Sequence, residues 1–408
     1  MGNKPWPLLN YGFRCFFLLA GIWAVLAMAL WLWVLRGGTW LGPDPLLWHG
    51  HEMLIGFVGA AIAGFLLTAA PAWTNQPPPQ GVPLGVLALT WLLGRTAMAL
   101  GGVLPALWVL LLDVLFPVLL VGLVARMLLR AGNRRNYPLA VLLGLFPLAD
   151  VLIHLDSMGV LAGGRQALNG LPHLAALLVT IVGGRITPSF TTNWLRMRGV
   201  KASLQNWPWL EKIIVPATLL AAVLLVSAPQ FWLSALVALL VAALHALRLF
   251  GWRGWRTLAE PLLAVLHLGY GWIAIGYALL GLASLGWLNQ GAALHALTAG
   301  ALGMMILAVM TRVALGHTGR PLHAPRTIVA AYIAVGLAAL LRVVAPVFAN
   351  FYSGLLLASG LAWIIAFGLF LWVYWPILTR PRSDGKPERI ASRPKVEDCP
   401  GKQSLASL

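Results

Sequence analysis

The sequence predicts an all-α membrane protein, a bundle of about twelve transmembrane helices with both termini in the cytoplasm. Of its 408 residues, 60% are apolar and only 10% are charged. Uncharged stretches run from Phe16 to Leu35, Met53 to Ala70 and Leu355 to Tyr374, and roughly 20 such residues in a helix cross a hydrocarbon core of about 30 Å. Clusters of proline, glycine and charge punctuate the stretches and separate one span from the next.

In chain order, spans are expected near residues 16–35, 49–70, 83–102, 105–129, 138–154, 172–188, 213–228, 231–248, 260–282, 292–313, 327–345 and 354–378. The first run lacks a small-x-small cleavage site, so it reads as an uncleaved span. Asp44-Pro45 supplies a helix cap and first turn for the second. Breaks fall at Pro77-Pro78-Pro79, Arg134-Arg135-Asn136, Arg196 to Lys201, Arg253 to Arg256 and Arg320-Pro321. The longest polar break, Arg185 to Lys212, divides the helices six and six. Trp40, Trp73, Trp252, Trp255 and Trp375 sit at span ends as interfacial anchors. Residues 1–378 form one membrane domain, and 379–408, polar and aperiodic, form a disordered cytoplasmic tail. No internal repeat is visible.

Orientation follows from the cations. Of the 28 Lys and Arg, 23 fall at the N-terminus, in alternate connections and in the tail, which places all of these in the cytoplasm. The net charge of +17 is then a topology signal facing anionic lipid headgroups, and no nucleic-acid partner is needed. Cys15 and Cys399, the only cysteines, both fall on the reducing side, so no disulfide is expected. Without a Cys-x-x-Cys-His motif, any haem is held non-covalently, as b-type haem is. The chain also lacks a phosphate-binding glycine loop, a nucleophile elbow and a zinc HExxH motif, which disfavours nucleotide and hydrolase chemistry.

Ionisable groups at membrane depth are costly and mark function or close pairing. The second span opens on Trp48-His49-Gly50-His51-Glu52-Met53, three such groups where hydrocarbon should start. Asp150, His154, His173 and His295 lie at the same level, and Asp113 lies about 12 Å inward at 1.5 Å per residue. On a regular helix His49 and His51 point about 160° apart, so they serve two sites unless an extended segment brings them to one metal. His49 shares a small-residue stripe with Glu52, Met53, Gly56, Ala60 and Ala63. His267 heads another, with Glu260, Gly271, Ala274, Ala278 and Gly281; such a face admits a porphyrin or simply a closely packed helix. Asp150 one turn from His154 is either the partner of a metal-bound imidazole or ordinary satisfaction of a buried histidine. Arg95, Arg185 and Arg342 lie within or at the edge of spans and need carboxylates, propionates or carbonyls. Met304, Met305 and Met310 read as packing filler rather than copper ligands.

Several segments together resemble the NnrS family. They are Trp48 to Phe57, Gly64 to Ala69 with Pro71 and Trp73, Gly184-Arg185-Ile186-Thr187-Pro188-Ser189-Phe190-Thr191, Leu266-His267-Leu268-Gly269-Tyr270, and His295 through Met310-Thr311-Arg312 to Gly316-His317-Thr318-Gly319-Arg320. The resemblance runs from about Tyr11 to Trp375. It implies a bacterial inner-membrane protein that contains haem and copper and relieves nitrosative stress in the nitric oxide response of denitrifiers. The family motifs carry over His49, His51, Glu52, His267, His295, Arg312 and His317. From these the expected copper ligands are His49, His51 and His295, with Glu52 as proton carrier. The expected haem ligand is His267, with His317 or His295 opposite, and Arg185 and Arg312 belong to the cofactor's surroundings.

Two functions follow. One is handling of nitric oxide, a small neutral ligand, at haem iron and copper; a reductive version needs electrons from quinol or a periplasmic donor. The other is transport of a metal, haem or a small anion, with the histidines as a transient binding site.

Overall fold

The computed structural model describes residues 7–385, apart from 41, 43 and 201–203. Among the described residues there is no strand, and twelve helices are long and apolar enough to cross a membrane. In chain order they are α1 (Gly12–Leu35), α2 (Pro45–Thr74), α3 (Val82–Ala99), α4 (Ala106–Arg130), α5 (Arg134–Ser157), α6 (Gly164–Met197), α7 (Pro208–Ser227), α8 (Trp232–Gly251), α9 (Pro261–Ser284), α10 (Gln290–His317), α11 (Arg326–Val347) and α12 (Ala349–Thr379). All twelve expected spans are present. The largest difference is α6, which extends from Gly164 to Met197 rather than 172–188. Polar residues such as Arg165 and Asn193 continue its helix beyond the apolar segment, so only residues 198–207 link it to α7.

The first and last described segments and the basic loops share one end of the bundle. Arg14 Nη1 donates to the carbonyls of Leu378 (2.7 Å) and Arg380 (2.8 Å). Arg382 Nη1 reaches the carbonyl of His317 at 2.7 Å, and the backbone N–H of Ser383 donates to Thr318 at 3.0 Å. Residues 380–385 are therefore docked on the α10–α11 connection; the rest of the expected disordered tail, 386–408, lies outside the described residues.

The helices α2 and α10 are the most enclosed, with 78% and 67% of their apolar windows buried, and both break α-geometry near the end opposite the basic loops. In α2 the segment Glu52–Val58 is π-helical, directly after His51. In α10 the segment Ala296–Leu302 is π-helical, directly after His295. A π turn inserts a residue, widens the helix and frees a carbonyl, and such turns concentrate at functional sites. The indole N–H of Trp91 donates to the carbonyl of Gly56 at 3.0 Å.

The small-residue stripes seat neighbouring helices. A Cβ on Gly56 would lie 2.6 Å from Trp23 Nε1 and 2.8 Å from Arg95 Nη1; one on Gly281 would lie 2.8 Å from Leu239 Cγ; one on Gly271 would lie 3.3 Å from Leu249 Cδ2. The glycines of the α9 stripe thus receive α8, because a glycine lets two backbones approach to van der Waals contact.

Candidate metal centre and histidine cavity

The side chain of Asp44 caps α2, accepting from the N–H groups of Leu46 (2.8 Å) and Leu47 (3.3 Å). The first helical turn fixed in this way sends His49 and His51 to different places. The π turn that follows re-phases the rest: Met53, Leu54, Phe57 and Val58 stay on the side of His49, while Glu52 and Gly56 turn toward Arg95. The stripe expected from regular α-periodicity, with His49 above Glu52 and Gly56, is therefore split.

His51 enters a buried cluster built by α2, α3, α4 and α5. Its Nε2 lies 2.8 Å from Asp150 Oδ1 and 3.0 Å from Asp113 Oδ2. His154 Nε2 lies 2.9 Å from the same Asp113 oxygen and 3.7 Å from Asp150 Oδ1. One ligand atom from each of these four residues lies within 4.8 Å of all the others, so two imidazole nitrogens and two carboxylate oxygens face a common centre. Around them, Glu52 Oε1 lies 3.1 Å from His51 Nδ1. Arg95 Nη1 donates to both Glu52 oxygens at 2.9 Å, and its Nη2 pairs with Asp113 Oδ1.

Two features of this cluster call for a cation. First, Glu52, Asp113 and Asp150 are three carboxylates against one guanidinium, Arg95, all buried. The deficit of two positive charges is made up by a divalent ion, by protonated imidazoles or by a proton on a carboxyl group. Second, if His51 donates its Nδ1 proton to Glu52, the lone pair on Nε2 faces two carboxylate oxygens, which repel it unless a cation sits between. Asp150 Oδ2 is moreover buried with no hydrogen-bond partner. Such an atom costs about 1–3 kcal/mol or more.

His49 lines a separate cavity of about 390 Å³ that it shares with His295, Arg342, Arg165 and Asp156. The His49 ring stacks on Trp31, with centroids 4.4 Å apart and planes 14° apart, and its Nδ1 is buried without a partner, as is Nη1 of Arg342. His295 Nδ1 lies 2.6 Å from the carbonyl of Gly291. That hydrogen bond fixes the tautomer and leaves the lone pair on Nε2. The remaining walls are mainly apolar, with Phe57, Leu302 and Trp363 among them. His49, His51 and His295 accordingly do not converge.

The other residues singled out in the sequence lie elsewhere. His267 Nδ1 is 3.0 Å from the carbonyl of Leu263, its Nε2 is 3.3 Å from Thr191 Oγ1, and a Cβ on Gly254 would fall 2.5 Å from its ring. His267 lies outside the His49–His295 cavity. His317 is exposed at the basic end beside Phe13, with ring centroids 5.6 Å apart. Arg312 lies over the ring of Phe190 at 4.1 Å, and Arg185 donates to Asn136 Oδ1 at 2.7 Å. His245, held between Thr218 Oγ1 (3.0 Å) and Tyr270 Oη (2.9 Å), is a satisfied core histidine.

The sequence puts Asp150 and His154 at the level of His51 and Asp113 about 12 Å further inward, whereas the structure brings all three together with His51. The signal that could have joined them is charge, since carboxylates at membrane depth need shared counter-charges. No curated protein matches the chain. The model of one protein family, described as NnrS protein, matches residues 7–382. The chain, with twelve helices long and apolar enough to cross a membrane among the described residues, belongs to the NnrS family.

Proposed function

We propose that the protein binds nitric oxide at a haem seated between His49 and His295 and holds copper in the cluster of His51, His154, Asp113 and Asp150. The observation that carries this reading is the division of the His-Gly-His turn between a closed cluster of four donors and an open cavity with an unpaired imidazole nitrogen and guanidinium. Two nitrogen and two oxygen donors suit Cu(II), and Glu52 beside His51 Nδ1 sets that ring's orientation. In the cavity His295 presents Nε2, and Arg342 and Arg165 supply cationic partners for propionates. When bound, haem iron and copper supply coordination positions for nitric oxide.

The chain's own residues then set the surroundings. Apolar walls exclude bulk water from the cavity, Arg95 locks Glu52 and Asp113, and Glu52 is placed to pass a proton to or from His51. In a denitrifying-type bacterium this arrangement relieves nitrosative stress from within the inner membrane, with electrons from quinol or a periplasmic donor in a reductive version. Protein purified in detergent should contain haem and copper, and its Soret band should shift when nitric oxide is added. A colourless, metal-free protein that moves a metal or small anion across vesicles would establish the carrier instead.

Two further outcomes are expected. His295→Ala should lose most of its haem while His267→Ala keeps it, measured as haem per protein; full haem in the first and loss in the second would move the cofactor to α9. Both termini are assigned to the cytoplasm and Gly163 to the periplasm. A cysteine placed at 163 should therefore react with an impermeant maleimide from outside, and one at 134 should not. Labelling at 163 only from the cytoplasmic side would invert the assignment.

A further inference from the structure

Beneath the His49–His295 cavity, toward the basic end, lies a second cavity of about 90 Å³ between α1, α2, α5, α6 and α10. Its lining contains no polar side chain: Phe17, Ile62, Val182, Met305 and Val309 are representative. Its upper walls include Val58 and Leu302, and these two residues also line the histidine cavity. They are the last residues of the two π segments, so the irregular turns that follow His51 and His295 also form the partition between the two spaces. Ile62, Phe65, Val182 and Val309 are only half-buried, so the apolar cavity communicates with the outer surface of the bundle.

The chemistry of this space selects its occupant. A wall without donors or acceptors gives nothing to an ion or to water, and apolar cavities of comparable size stay dry and take up benzene or xenon. The volume is several times the ~10–15 Å³ that one water-sized molecule requires. A small, neutral, lipid-soluble gas is concentrated by the surrounding hydrocarbon, whereas anions and water are held back. Resting on the reading of the His49–His295 cavity given above, we infer that the apolar cavity is the access route by which a small uncharged gas passes from the bilayer, between Val58 and Leu302, to the histidines. The buried cluster of His51 has no part in this route, because none of its residues lines either cavity.

The test has two arms. Xenon-pressurised crystals of the full-length protein should show xenon between Ile62 and Val309, and Val309→Trp, which fills the space without touching the histidine cavity, should remove it. In the second arm, carbon monoxide is flashed off the haem of the reduced protein and its rebinding is timed. Val309→Trp should slow rebinding from solution at least tenfold with haem content unchanged, and Val309→Ala, which enlarges the space, should not slow it. No xenon in the wild-type cavity, or an unaltered rebinding rate in Val309→Trp, overturns the route. The xenon arm does not depend on haem, so xenon bound in a protein without haem would remove the haem assignment and leave the gas cavity standing.

Discussion

Arg95→Met is expected to destabilise the protein by about 3–5 kcal/mol, the range for breaking a buried ion pair by removing one partner. Arg95 is the only guanidinium in the His51 cluster, and it holds Glu52 through both oxygens and Asp113 through Oδ1. Without it three carboxylates face each other at membrane depth with no fixed positive charge. Because the loss comes from unpaired charge rather than from missing contacts, Arg95→Met combined with Glu52→Gln should recover a substantial part of it. The measurement is detergent-solubilised unfolding followed by tryptophan fluorescence. A loss below about 1 kcal/mol, or a double variant no better than the single, would show that the carboxylates are already neutralised in the absence of Arg95.

Much of the fold was legible because hydrocarbon imposes one simple rule. An uncharged run of about 20 residues has no stable alternative to a helix, and all twelve such runs are helices. The limits of α6 were not legible. Hydropathy marks where a helix enters lipid, not where its hydrogen bonding stops, and α6 continues through Arg165 and Asn193. Depth was readable only in part: topology alone puts Glu52, Asp150 and His154 near one level but Asp113 about 12 Å further inward, and the structure joins all four because α2 begins at Pro45 and α5 runs on to Ser157, past the expected span ends.

Azimuth was harder. The phase argument correctly separated His49 from His51, since two residues apart on a helix is close to opposite faces. It failed one turn later, where Glu52–Val58 changes from α to π, and no residue type announces that change. The same limit applies at Ala296–Leu302. The glycine stripe below His267 was ambiguous in a different way. A smooth helix face fits a flat cofactor or another helix equally well, and in the structure Leu249 and Leu239 of α8 lie against it.

The two histidines of one short turn should also have separable effects on metal content. His51→Ala is expected to reduce copper to a small fraction of the wild-type stoichiometry while haem is retained, because it removes one of four donors and leaves the 390 Å³ cavity intact. His49→Ala is expected to do the reverse, since it removes a cavity imidazole that has no contact with Asp113 or Asp150. Glu52→Gln should fall between them, weakening copper about 10–100-fold through the orientation of His51 while sparing haem. The competing explanation is that His51 and Glu52 only neutralise Arg95 at the mouth of α2. Under that view the excess of two carboxylates over Arg95 is balanced by protons on the cluster's own imidazole and carboxyl groups, yet Asp150 Oδ2 is still left without a partner. Copper and haem measured per protein in the three variants decide between the two. Normal amounts of both in His49→Ala and His51→Ala would remove these residues from the metal sites, and joint loss of both metals in each variant would mean that the cluster and the cavity are one centre.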